Sequence, residues 1–192
     1  EGLATGVDPV TIIEKGLTRG LNIVGEKFQK GEMFLTDLIS AAEPVQTIVK
    51  EVVEPQILKS KQVRKSLGKI VLGTVEGDIH DIGKTIVGAM LFSAGFEVHD
   101  IGKDVPVTEF IKKVKEVKAD IVGASALLST SLPAQRKLIE ALVTEGMRTN
   151  VKVMVGGAPV TNEWAQEIGA DGYGADAVEA VIVAKQLLGV SK

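Results

Sequence analysis

Residues 69–91 read KIVLGTVEGDIHDIGKTIVGAML, and two periods meet inside them. Ile70, Val71 and Leu72 form a short aliphatic run of the kind found in a strand buried on both faces. After Val75 comes a polar loop, Glu76-Gly77-Asp78-Ile79-His80-Asp81. Apolar residues then recur at helical spacing, at Ile82, Ile86, Val87, Met90, Leu91 and Ala94. The same unit of strand, polar loop and helix repeats to the end of the chain. Strands are predicted over 70–75, 96–101, 120–124, 151–155 and 171–174. Helical faces lie between them: Val107, Phe110, Ile111, Val114 and Val117; Leu138, Ile139, Leu142 and Val143; Trp164 and Ile168; Val178, Val181, Ile182 and Leu188. Strict alternation of this kind predicts an α/β fold on a parallel sheet.

Five strands suit the flavodoxin-like, Rossmann-type order 2-1-3-4-5, in which ligands bind beyond the carboxyl ends of the strands. The loops after Val75, Ile101, Ala124, Val155 and Gly174 are therefore where a site is expected. Residues 1–68 read differently, as a helical bundle preceding an α/β domain over 69–192. Val10, Ile13, Leu17, Leu21, Val24 and Phe28 recur at spacings of three and four. Asp8 fits an N-cap with Pro9 at the first helical position. Gly31 interrupts the pattern. After Thr36 it resumes with Leu38, Ile39, Ala42, Val45, Val49, Val52 and Val53, and Pro44 inside it predicts a kink or a split. Lys59, Lys61, Arg64, Lys65 and Lys69 read as a solvated basic joint.

The chain has 192 residues, 45% hydrophobic and 24% charged, which suits one full domain plus a small second one. Lys+Arg 22 against Asp+Glu 25 gives a net charge of -3, which disfavours a nucleic-acid partner. With Cys 0, disulfides, thiolate nucleophiles and Cys-based metal sites are excluded. No apolar run approaches the roughly 20 residues of a membrane span, and no charged-then-apolar leader opens the chain. A soluble, cytoplasmic protein without a membrane partner is expected, and because the chain opens on Glu1 a further N-terminal stretch is expected as well. Phe 5, Trp 1 and Tyr 1 against Gly 21 point to a ligand site built on backbone approach rather than on aromatic walls.

The first loop holds one of two histidines. In an extended loop Asp78 and His80 can point to one side. A carboxylate on one ring nitrogen then fixes the tautomer and leaves the other nitrogen free for a metal. The plainer reading is a solvent-exposed surface histidine. The third loop, Ser125-Ala126-Leu127-Leu128-Ser129-Thr130-Ser131, gathers hydroxyls at a strand end, and Ser131 before Leu132-Pro133 also reads as an N-cap. Gly156-Gly157 allows close backbone approach by a ligand, or a tight turn. Asp176 fits a cap for the last helix. There is no phosphate-binding loop; Gly83-Lys84-Thr85 has only the end of one. A dinucleotide fingerprint is absent too.

Asp78-x-His80-x-x-Gly83, then Ser125-x-Leu127, then Gly156-Gly157 resembles the three-part signature of cobalamin-binding domains, across the whole of 69–192. Gly25-Glu26-Lys27-Phe28 and Gly31-Glu32-Met33-Phe34-Leu35 resemble the four-helix cap before that domain in cobalamin-dependent methionine synthase and in stand-alone corrinoid methyl-carrier proteins. Thr36 stands where Pro is common, and Ala126 where Gly is common. The resemblance implies a carrier of a methyl group on cobalt. The group would pass from a substrate methyltransferase for methanol, methylamine or methoxylated aromatic donors to an acceptor methyltransferase for tetrahydrofolate or a thiol. A reductive activase would be a further partner, and the carrier would not be catalytically complete alone.

The resemblance further implies cobalamin or a related corrinoid bound base-off, with His80 as lower cobalt ligand and Asp78 and Ser131 as its relay. Gly77, Ile79, Asp81 and Ile82 would belong to the same loop site. Gly83, Gly156 and Gly157 would give room to the nucleotide tail, Ser125, Leu127 and Ser129 would contact it, and Ala175 would line its base. Phe28, Leu35, Leu38 and Ile39, with Glu14, would shield the upper face, although at helical spacing these are also ordinary core positions. The alternatives are a cobalamin-dependent sensor or regulator, a mutase small subunit, and a cofactor-free flavodoxin-like domain.

Overall fold

The computed structural model of the protein describes residues 5, 7, 12, 16, 17, 19–48, 51 and 66–190. Asp8, Pro9, Val10, Ile13, Glu14, Val49, Val52, Val53 and the basic joint at Lys59, Lys61, Arg64 and Lys65 lie outside these residues. The chain divides into two compact units, 1–66 with 92–95, and 67–91 with 96–192.

In the first unit, helix α1 (Arg19–Gln29) and helix α2 (Leu35–Ile48) pack on one another. Leu21, Leu38 and Ala42 are buried, and Val24, Phe28 and Ile39 are half-buried. Gly31 takes the left-handed conformation, φ 71°, where the chain turns between the helices. Asp37 in the first turn of α2 reaches back, its Oδ2 accepting from the Phe34 N–H at 2.8 Å. Of the kink or split expected at Pro44, the split does not occur: α2 runs through it as one helix of 14 residues. Pro44 and Ser40, the residue whose carbonyl loses its helical partner, are both exposed, so water can take that bond.

The second unit holds β1 (Lys69–Thr74), all but the last two residues of α3 (Ile82–Ser93), β2 (Glu97–Asp100), α4 (Val107–Val117), β3 (Ile121–Ser125), α5 (Leu132–Thr144), β4 (Lys152–Gly156), α6 (Asn162–Ile168), β5 (Gly172–Gly174) and α7 (Ala177–Leu187). The five strands are all parallel, in the order β2-β1-β3-β4-β5, as the alternation predicted. A core of Val71, Val122, Val153, Phe110, Val114, Leu138 and Leu142 packs between sheet and helices. The register aligns Thr74 with Ser125, Ser125 with Gly156, and Gly156 with Gly174. Four strands thus end in one row, and their loops emerge together. Asp176 caps α7, its Oδ1 accepting from the Glu179 N–H at 2.8 Å. Ile82, Val143 and Ile182, expected on buried helical faces, are exposed instead. At Ile82 the reason is its place at the start of α3, on the rim of that row of strand ends.

Candidate functional site

The loop between β1 and α3 is organised by Asp78, whose side chain is fully buried. Its Oδ1 accepts from the His80 backbone N–H at 3.0 Å and from His80 Nδ1 at 2.7 Å. Its Oδ2 accepts from the backbone N–H groups of Leu127 at 2.6 Å and Leu128 at 3.2 Å, and from the Ser131 hydroxyl at 2.9 Å. One carboxylate therefore joins the loops after β1 and β3. Burial alone would raise its pKa. The bonds from His80, Leu127 and Ser131 outweigh this and hold the group well below the usual carboxylate range.

An ionised carboxylate only accepts, so the proton between Asp78 and His80 belongs to Nδ1. The neutral ring then carries a bare lone pair on Nε2, which has no partner among the described residues. The ring is 46% exposed. On the same two loops Ile79 is 67% exposed, Leu127 42% and Leu128 41%, and Ile82 at the start of α3 is 72% exposed. An accessible nitrogen able to ligate a metal, among uncovered aliphatic side chains, fits a flat, largely apolar macrocycle that brings further donors of its own. Among the described residues no group of three His, Cys, Asp or Glu stands ready to hold a metal alone.

Residues 68–182 match the family model of the B12 binding domain, and residues 1–52 match a second B12 binding domain. The chain is 56% identical over 182 residues to dimethylamine corrinoid protein 3 of Methanosarcina acetivorans, covering 95% of this chain and 84% of that protein. It is 51% identical over 190 residues to the trimethylamine corrinoid protein of Methanosarcina barkeri, covering 99% and 87%. Among solved structures, the methanol:cobalamin methyltransferase complex of Methanosarcina barkeri matches with a TM-score of 0.85 and 28% identity, over 99% of this chain and 71% of that one. The chain belongs to the B12-binding corrinoid proteins.

In this corrinoid protein the residues singled out from the sequence fall into separate groups. Asp78, His80, Leu127 and Ser131 come together directly. Gly77 takes φ 83° and donates its N–H to Asp104 Oδ1 at 2.8 Å. Asp81 meets Lys103 at 3.3 Å. A Cβ added at Gly83 would meet nothing within 4 Å, so the start of α3 is open to approach. The glycine pair behaves otherwise. A Cβ at Gly157, φ 122°, would lie 1.8 Å from the Ala126 carbonyl oxygen, and one at Gly156 would lie 2.9 Å from that of Gly174. Both glycines are required by the chain's own backbone. Ser125 is half-buried at the end of β3, while Ser129 and Ala175 are exposed. Ser131 precedes α5 as the N-cap residue, yet its side chain makes no capping bond; it turns to Asp78 and to the Leu128 carbonyl, 2.8 Å away. In the helical unit Leu38 is core; Glu14 and the Leu35 side chain lie outside the described residues.

Several contributors escaped the sequence reading. Thr74, fully buried, donates its hydroxyl to the His80 carbonyl at 2.9 Å. Lys84 is buried beside Asp100. Gln135, fully buried, donates to the carbonyls of Ala124 at 2.8 Å and Gly156 at 3.3 Å, and accepts from Trp164 Nε1 at 2.9 Å. The signal for Gln135 was available: it shares the apolar face of α5 with Leu138 and Leu142, where a polar residue needs buried partners.

Proposed function

We propose that this corrinoid protein receives a methyl group from a methylamine, methanol or methoxylated-aromatic methyltransferase and yields it to a tetrahydrofolate or thiol methyltransferase. The observation that carries the site assignment is the His80 ring, with Nδ1 tied to a buried carboxylate and Nε2 presented among exposed aliphatic side chains. When bound, the corrinoid supplies the cobalt that takes up and releases the methyl group. The chain's own part is to hold and orient. His80 is the proposed lower ligand, replacing the cofactor's own base. Asp78 keeps the proton on Nδ1 and so keeps Nε2 available; the Ser131 hydroxyl on Oδ2 completes the relay. Gly77, Ile79, Asp81, Ile82, Gly83, Ser125, Leu127, Ser129, Gly156, Gly157 and Ala175 complete the proposed binding set in a cobalamin-binding domain over 69–192.

The helical domain over 1–68 is proposed to shield the reactive face, through Phe28, Leu35, Leu38, Ile39 and Glu14. Among the described residues no helix is long and apolar enough to cross a membrane; we place the carrier in the cytoplasm, with a reductive activase as third partner. The test is reconstitution of 15N-labelled protein with cobalamin, followed by absorption and EPR spectra of the cob(II)alamin form, in which the label sets a protein nitrogen apart from that of the cofactor's own base. Nitrogen hyperfine splitting from the protein, lost in His80→Gly, is expected. Failure to bind cobalamin, or the same splitting in His80→Gly, overturns the assignment.

A further inference from the structure

The loop after β2 contributes no residue to the relay, yet it grips the His80 loop at several points. Thr74 N–H donates to the Gly102 carbonyl at 3.0 Å, and Val105 N–H to the Thr74 carbonyl at 3.0 Å; Val75 and Val105 form an isolated parallel bridge. One residue in this loop does more. Asp104 accepts from the Gly77 N–H through Oδ1 at 2.8 Å, and its own N–H donates to the Asp78 carbonyl at 2.9 Å. These two bonds bracket Gly77 and Asp78, the residues whose backbone aims the carboxylate at the imidazole. To make both, Asp104 takes φ 52°, one of two non-glycine residues with positive φ among those described. Such a conformation persists where surrounding contacts hold it, and Asp tolerates it better than most residues. The loop is anchored at its start as well. Asp100 pairs with the buried Lys84 in the first turn of α3, and its Oδ1 accepts from the Gly102 N–H at 2.9 Å.

We infer that Asp104 is a positioning residue for the axial imidazole: by fixing the backbone on both sides of Asp78 it sets how His80 is presented to the corrinoid. This rests on the reading of His80 as cobalt ligand. Three substitutions separate its parts. Asp104→Asn keeps the acceptor oxygen and a tolerated left-handed backbone. Asp104→Gly keeps the backbone and its N–H but loses the acceptor. Asp104→Ala loses the acceptor and is strained at this φ.

Each variant is prepared with 15N label and reconstituted with cobalamin, its Kd measured by titration, and the cob(II)alamin EPR spectrum scored for the fraction showing splitting from the labelled protein nitrogen. Asp104→Asn is expected to match the parent. Asp104→Ala should bind about tenfold more weakly, the scale of one lost hydrogen bond, with a large fraction lacking the splitting; Asp104→Gly should fall between them. Parent-like affinity and full splitting in Asp104→Ala overturn the inference, as does a lowered melting temperature in all variants with ligation unchanged. If Asp104→Ala does not fold, Asp104→Gly decides by the same two readouts. Absence of splitting in the parent protein, by contrast, refutes the ligand assignment itself.

Discussion

Asp78→Asn tests the centre of the site without any cofactor. The amide replaces one carboxylate oxygen with an NH2 that cannot accept. Placed at Oδ2 it would face three donors, the N–H groups of Leu127 and Leu128 and the Ser131 hydroxyl, at 2.6, 3.2 and 2.9 Å. Placed at Oδ1 it faces only the backbone N–H of His80 at 3.0 Å and its ring Nδ1 at 2.7 Å, and a ring can change tautomer. The second placement is the cheaper one. It leaves one backbone N–H unpaired, about 1–3 kcal/mol, and removes charge assistance from the bonds that remain, about 1 kcal/mol; relief from burying a charge returns part of this. A net destabilisation of about 2–3 kcal/mol is expected. The same placement moves the ring proton from Nδ1 to Nε2, the nitrogen proposed to meet cobalt.

Urea denaturation of the cofactor-free protein at neutral pH measures the first effect, and long-range 15N–1H spectra of the imidazoles measure the second. The chain has two histidines, and the other supplies a reference: His99 contacts Glu97 through Nε2 at 2.8 Å, so the two rings start as opposite tautomers. After the substitution both should carry the proton on Nε2. A variant as stable as the parent within 0.5 kcal/mol (roughly the error of the method), with His80 still protonated on Nδ1, would refute the claim that this carboxylate organises the loop.

Gly157→Ala should cost about 3 kcal/mol or more, because the new Cβ collides with the Ala126 carbonyl at a φ that favours glycine; a melting temperature equal to the parent's contradicts this. Gly83→Ala should do the reverse, stabilising the cofactor-free protein by about 0.5 kcal/mol as a helix residue with open space around it, while weakening cobalamin binding. Unchanged affinity by calorimetric titration would show that nothing approaches Gly83 closely. Glu97 is held below its ordinary pKa by the hydrogen bond from His99, against burial, and with help from Lys69. A depressed carboxylate contributes stability that is complete above its unfolded value and lost as the pH falls through the folded one. The stability gap between parent and Glu97→Gln should therefore be full above the ordinary Glu value, about 4.3, and narrow as the pH falls below it; a gap that is constant with pH would refute the assignment.

How far the sequence could be read depended on whether a residue's role was written in its own neighbourhood. The parallel sheet followed from alternating periods, because short aliphatic runs such as Ile121–Val122 and Val153–Val155 fit a strand covered on both sides. Asp78 and His80 were legible together since two residues of separation suffice to bring them into contact. Asp104 was not: its partners lie 26 and 27 positions away, and an Asp between a Lys and a Val carries no mark of a left-handed backbone. The glycine pair was legible as a close approach but not as to what approaches, since Gly156 and Gly157 meet the chain's own carbonyls while Gly83, at a helix start, faces open space. Ser131 shows the same limit from the other side. Its local context announces a helix cap, yet a buried carboxylate 53 residues earlier claims the hydroxyl. A charge with no access to water draws more from a hydroxyl than a helix end that water can reach. Local rules thus give way where a distant buried charge must be satisfied, and in this chain that place is the proposed cofactor site.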